Sequence, residues 1–168
     1  TMLFVTPRWC YRGRNMRTLS VHARYTTTNC SEKSIMLCKA ALMDDSTSYE
    51  RIRTQDDADE VKKLGRRITP WIQAIWDTHI CAVAREVVLQ KFTKVKGLNN
   101  LLQATGSRFI AEATHRDRVW SIGLDRGRAN AQVPKLWPGT NVLGWALMDV
   151  REFLAGAMDI NRPEHGPL

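Results

Sequence analysis

The stretch from Asn29 to Asp45, NCSEKSIMLCKAALMDD, constrains the fold more than any other. Its residues 31–43 read as a helix. Ile35, Met36, Leu37, Cys38, Ala40, Ala41, Leu42 and Met43 are apolar or small and nearly encircle it. A helix that is apolar on most sides has to be covered by neighbours, so one end of it is expected to be well buried. Two charges break the pattern. Glu32 and Lys39 lie seven residues apart, on one helix face and ~10.5 Å apart along the axis. Either both lean into a polar pocket, or Glu32 is a first-turn acid favoured by the helix dipole and Lys39 a snorkelling lysine.

The rest of the chain reads as further helices with little strand. VHARYTTT, residues 21–28, alternates weakly and carries β-branched residues, which predicts a short strand. SYERI, residues 48–52, predicts a helical turn. DADEVKKLGRRI predicts a helix starting near Asp57 or Asp59 and ending near Gly65, with Lys62 and Lys63 suiting its C-terminal dipole. Pro70 is expected to open the longest helix, in which Trp71, Ile75, Trp76, Ile80, Val83, Val87 and Val88 recur at helical spacing. Gly97 and Gly106 bracket a short helix, LNNLLQAT. RFIAEAT, residues 108–114, predicts a strand, and RGRANAQVPKLWPGTN a loop. Asn141 is placed to cap a final helix, VLGWALMDVREFLAGAM, before a loose tail.

The chain has 168 residues, enough for one domain. No apolar run approaches the ~20 residues of a membrane span, so no membrane contact is expected, and no signal-peptide core is visible. Cys10, Cys30, Cys38 and Cys81 form no C-x-x-C pair, which predicts free thiols, an intracellular setting (cytoplasmic or nuclear) and no metal. His79 and Cys81 are two apart and face apart on a helix. The net charge of +8 favours anionic partners such as nucleic acid or phosphorylated metabolites.

Five segments in order resemble the NADAR (YbiA-like) family of N-glycosidases. They are SEKSIMLCKAALMDD, VKKLGRRI with the following Trp76, QKF with LLQATG, IAEATHRDRVWSIGL, and WPGTNVLGWALMDVREFL. Together they cover roughly residues 31–154, and their order, spacing and W-x-G-x-N-x-L-G-x-x-L-M-x-V-R ending carry the resemblance. It implies an α+β, predominantly helical YbiA-like single domain with a small strand component. Residues 1–30 would be a divergent N-terminal segment of it, 31–157 the NADAR-like part and 158–168 a tail. The family breaks bonds between ribose C1 and nitrogen, either in phosphorylated intermediates of riboflavin synthesis or in ADP-ribose attached to a nucleobase, chiefly guanine. No cofactor is implied.

Breaking a C1–N bond builds positive charge on the sugar and negative charge on the leaving nitrogen. A carboxylate beside C1 stabilises the first and moves protons. A lysine amine can instead attack the sugar aldehyde and form a Schiff base. By the resemblance Glu32 matches the catalytic glutamate and Lys39 the following lysine. Asp117 and Trp120 match positions lining the site, where Asp117 would hold ribose hydroxyls or polarise a water and Trp120 would stack a base or ribose face. Lys62 and Arg66, four apart, could grip phosphates, and Trp76 could line the pocket. Gly123, Gly139 and Asn141 could bring backbone close to the ligand. Each also has a plain structural reading: solvated basic turn, core tryptophan, turn aspartate, turn glycine, helix cap. Arg151 is expected to pair with Glu112.

Two departures from the family pattern stand out. Ser121 occupies a position that is usually glycine, and Thr28 one that is commonly aromatic. The favoured substrate is ADP-ribosylated guanine in nucleic acid or nucleotide. An alternative is the phosphorylated aminopyrimidine riboside, and another is a module that binds ADP-ribose or nucleic acid without turnover. The sequence leaves the oligomeric state open.

Overall fold

The computed structural model describes residues 4–5, 27–28, 30–95 and 97–160, with side chains for 30–95 and 97–157. Its contacts divide the chain into two compact units, residues 1–96 and 97–168.

The first unit is built around helix α1 (Ser31–Leu42). Helices α2 (Ser46–Thr54), α3 (Ala58–Gly65) and α4 (Gln73–Lys94) all pack on it. So do two short strands, β1 (Phe4–Val5) and β2 (Thr27–Thr28), which pair antiparallel with Phe4 opposite Thr28. β2 falls at the end of the strand expected over 21–28; the rest of that stretch lies outside the described residues. The neighbours supply the cover that the apolar girth of α1 requires. Leu37, Cys38 and Ala40 are sealed, together with Ile52 of α2, Val61 of α3 and Val83 and Ala84 of α4. Lys33 and Ser34 are also buried, although both are polar. Lys33 Nζ escapes to Asp56 Oδ1, 3.2 Å away on the surface. That pair is screened by water at its acid end and contributes ~1 kcal/mol or less.

The joints between helices are set by side-chain caps. Asp45 is the main one. Its Oδ1 accepts from the Ser48 amide at 2.9 Å and starts α2, while its Oδ2 accepts from the Thr69 amide at 3.0 Å. Its own N–H donates to Ala40 O at 2.9 Å. Burial would raise the Asp45 pKa, but the hydroxyl and amide of Ser48, the Thr69 amide and nearby Arg51 together hold it below the usual value. Asp57, one of the two starts its sequence allows, caps α3 through the Glu60 amide at 2.8 Å. Gly65 closes α3 against the Met36 side chain of α1, which a Cβ there would displace. Helix α4 begins at Gln73, three residues later than Pro70 suggests. Ile72 is still extended, with φ −119°, and its N–H is taken by Met43 Sδ at 3.3 Å.

The second unit pairs α5 (Leu98–Gln103) with α6 (Val142–Ile160). Between them runs a long irregular connection with 3-10 turns at Ala129–Gln132 and Pro134–Leu136. Val142, Ala146, Val150 and Leu154 form the buried stripe of α6, with Leu102 and Ile122 among the buried residues of this unit. Gln103 Nε2 donates to Arg151 O at 3.0 Å, and Arg151 Nη1 to Thr105 Oγ1 at 2.6 Å and Arg108 O at 2.9 Å. Arg151 thus ties α6 to the end of α5, not to Glu112 as expected. Residues 108–114 do not form the predicted strand. Several of their main-chain groups are taken by side chains instead. Ile110 O accepts from Asn141 Nδ2, the Glu112 amide donates to Asn141 Oδ1, and Ser121 Oγ bridges both polar groups of Thr114. The tail beyond residue 160 lies outside the described residues.

Candidate functional site

In the first unit, Glu32 stands in the first turn of α1, half-buried, and makes no hydrogen bond or ion pair with the described residues. Seven residues on, Lys39 is also half-buried. Its Nζ lies 4.9 Å from the ring centroid of Trp76 and 5.6 Å from that of Trp71. The two indoles are 6.0 Å apart and tilted by 48°. A cation over one exposed ring face is worth ~0.5–1 kcal/mol, rising to about 2 where water is excluded. Trp76 is buried, whereas Trp71 is 41% exposed, so this corner has one dry wall and one wet wall. The structure therefore brings Lys39 and Trp76 together.

Trp71 was missed as a site residue because periodicity assigned it to the core stripe of the long helix. The break between it and Gln73 turns it instead toward α1. The signal available was a second tryptophan five residues before Trp76, flanking a helix start. Lys62 lies in the last turn of α3 and Arg66 caps that helix, with the Arg66 amide donating to Lys62 O at 3.1 Å. Both side chains are exposed.

In the second unit, residues 118–123 and 139–143 lie side by side. Backbone bonds run from Gly139 N to Ile122 O, Thr140 N to Arg118 O, Asn141 N to Ser121 O, Val142 N to Val119 O and Leu143 N to Trp120 O, at 2.9–3.2 Å. A Cβ on Gly139 would overlap Ser121 O, so only glycine permits this approach. Gly123 has φ +74° and backs onto Pro138 and Gly139. These two glycines thus have a packing role. Asn141 is fully buried with φ +53°, its amide committed to Ile110 O and the Glu112 amide. Asp117 is half-buried. Its Oδ1 accepts from the amides of Val119 and Trp120, at 2.7 and 2.8 Å, which fixes the turn that presents the half-buried Trp120.

Ser121, the departure from glycine, is sealed, and its hydroxyl is used three times. It donates to Thr114 O at 2.7 Å and accepts from the amides of Gly123 at 3.0 Å and Thr114 at 3.2 Å. Nearby, His115 clips the two ends of this loop. Its amide and ring Nδ1 both reach the Asp125 carboxylate, at 2.8–3.0 Å. These bonds, the ring's first, hold the Asp125 carboxyl below its usual pKa. A separate open cleft of about 720 Å³ between α5 and α6, lined by Gln103, Trp145 and Glu152 among others, contains none of the predicted site residues.

Among the described residues, no group of three or more His, Cys, Asp or Glu could hold a metal ion. His79 Nδ1 is bonded to Ile75 O at 2.7 Å, and Cys81 is exposed. No described helix is long and apolar enough to cross a membrane.

Comparison with known proteins bears on this geometry. The chain is 34% identical over 122 residues to an N-glycosidase of Acanthamoeba polyphaga mimivirus, covering 73% of this chain and 72% of that protein. It is 31% identical over 127 residues to the protein irg-1 of Caenorhabditis elegans, covering 74% of this chain. It is 30% identical over 125 residues to a riboflavin biosynthesis protein of Vibrio vulnificus (strain YJ016), again covering 74% of this chain. It spans 60% and 31% of the lengths of those two. The NMR structure of the Escherichia coli protein YbiA matches with a TM-score of 0.66 at 26% identity, covering 84% of this chain and 76% of YbiA. The NADAR domain family matches residues 9–155, nearly the whole chain, and the chain belongs to that family.

Proposed function

We propose that this chain is an N-glycosidase that hydrolyses the bond between ribose C1 and a base nitrogen, removing ADP-ribose from ADP-ribosylated guanine in nucleic acid or nucleotide. Water adds to C1, the C1–N bond breaks, and the leaving nitrogen takes a proton. Glu32 serves as general acid and base beside C1. The observation that carries this role is its half-buried carboxylate, free of partners among the described residues at the start of a buried helix. Structural carboxylates here, such as Asp45 and Asp57, are spent on backbone amides; Glu32 is not.

Lys39 stabilises the site as a cation. Two indole rings beside Lys39 Nζ suit a positive charge, which favours an electrostatic role over an imine with the sugar. Trp76 walls that corner, and Lys62 and Arg66 grip phosphates. Asp117 and Trp120 hold ribose and base; their part rests on the family resemblance and on the turn that fixes them. Gly123, Gly139 and Asn141 keep that turn in place. The similarity to a riboflavin biosynthesis protein supports a second reading, hydrolysis of a phosphorylated aminopyrimidine riboside.

The test is a chromatographic hydrolysis assay on guanine-ADP-ribosylated DNA, its mononucleotide form and an aminopyrimidine riboside, with wild type beside Glu32→Gln. Release of ADP-ribose, reduced ~10²–10⁴-fold in the variant, is expected. Wild-type turnover by Glu32→Gln removes the assignment, and release from the riboside alone selects the second reading.

A further inference from the structure

The second unit has six described arginines, and they fall into two classes. Arg108 and Arg151 are spent internally. Arg108 donates to the carbonyls of Thr105 and Ala104, and Arg151 to Thr105 and Arg108. Arg116, Arg118, Arg126 and Arg128 are all exposed, and none of their guanidinium groups has a hydrogen-bond or ion-pair partner among the described residues. They sit on the two ends of one loop, and the His115–Asp125 clip holds those ends together.

Two acids share this stretch and offset part of its charge: Asp125, which bonds to His115 and also feels the charge of Arg128, and Asp117, whose Oδ1 accepts from the amides of Val119 and Trp120. Lys135 is exposed further along the same connection, so residues 113–136 carry five basic side chains against two acids. Trp120, half-buried, and Val119, 46% exposed, lie between the two arginine pairs in sequence.

We infer that this loop is a docking surface for the phosphate backbone of a single-stranded nucleic acid, with Trp120 as a stacking face for a base. A single diphosphate occupies about two guanidiniums in bidentate fashion, so four unspent ones exceed what free ADP-ribose can use. A strand offers a phosphate at every nucleotide and a ring to stack, which matches arginines flanking an indole. The inference rests on the reading of the substrate as a nucleobase adduct and deepens it, because it assigns the polymer around that base to a particular surface.

The experiment measures binding of an unmodified fluorescent single-stranded oligonucleotide by anisotropy across a salt series. No hydrolysis is involved, so a failed glycosidase assay and a failed docking surface remain distinguishable. Wild type, Arg126→Ser/Arg128→Ser, Arg126→Lys/Arg128→Lys and Glu32→Gln are compared, with circular dichroism to verify folding. Losing two phosphate contacts on a single strand should make the slope of log K against log salt shallower by ~1.4. The lysine pair should keep most of the wild-type slope, and Glu32→Gln all of it. An unchanged slope in the serine pair overturns the inference. So does binding to phosphatidylserine vesicles without binding to the oligonucleotide.

Discussion

Asn141 offers the sharpest test of how the second unit holds its loop. Replacing it with alanine removes the acceptor of the Glu112 amide and the donor to Ile110 O, each a 3.0 Å bond. Ile110 is half-buried and Glu112 exposed, so water partly replaces what is lost, and each orphaned group costs ~1 kcal/mol, the low end of its range. The residue also stands at φ +53°, where alanine costs ~1 kcal/mol more. The sum is ~3 kcal/mol for Asn141→Ala and ~2 kcal/mol for Asn141→Gly, which escapes the backbone term. Urea unfolding followed by circular dichroism measures both, and hydrogen exchange at the Glu112 amide localises the loss. Asn141→Ala within ~0.5 kcal/mol of wild type would refute the reasoning, because two buried-side bonds would then be worth nothing. Asn141→Gly less stable than Asn141→Ala would refute the backbone part. Gly144→Ala should act on the same bridge, since its Cβ would overlap the Asn141 amide and Ile110 O; the two changes should be less than additive.

Ser121→Gly deletes three hydrogen bonds, so a loss of ~1–3 kcal/mol is expected in the same unfolding assay. Asp45 has its pKa lowered in the fold, so its contribution is full above the unfolded value of 3.8 and is lost as pH falls through the folded one. Unfolding free energy should therefore drop from about pH 5 downward, and less steeply in Asp45→Asn, which keeps a cap for α2 but sets an NH₂ against the Ser48 or Thr69 amide. Lys39→Met should lower turnover by ~10²-fold if the cation over the indoles stabilises the reaction, and Lys39→Arg should recover part of it. No recovery by arginine, together with borohydride trapping of a sugar adduct in wild type, would restore the imine.

The helices were legible because each carries its own signal. The apolar girth of α1, the acid cap Asp57 and Gly97 before α5 are local features that the packing did not override. The stretch 108–114 was misread because β-type residues there answer to Asn141 and Ser121, seven to thirty-one residues away, and not to a neighbouring strand. Pro70 misled for a similar reason: Met43, from the end of α1, holds Ile72 extended. One helix posed the question of Glu32 and Lys39, and only the resemblance of the other segments gave them a proposed role. Trp71 was not findable, since its role depends on a helix starting two residues later than it, and the use of the Ser121 hydroxyl depends on a fold no local pattern encodes.

The seam where Gly139 lies against residues 121–123 has no side chain in it. Most protein contacts can be adjusted by a methyl group more or less; this one cannot, because its thickness is that of two main chains. The height at which Trp120 is presented is therefore quantised, shared by any sequence that keeps both glycines. Divergence in what this loop accepts has to come from the side chains standing beside the seam, Asp117, Arg118 and Pro138, or from the loop ends clipped by His115. Under the function proposed above, substrate choice would change by swapping edges on a fixed frame.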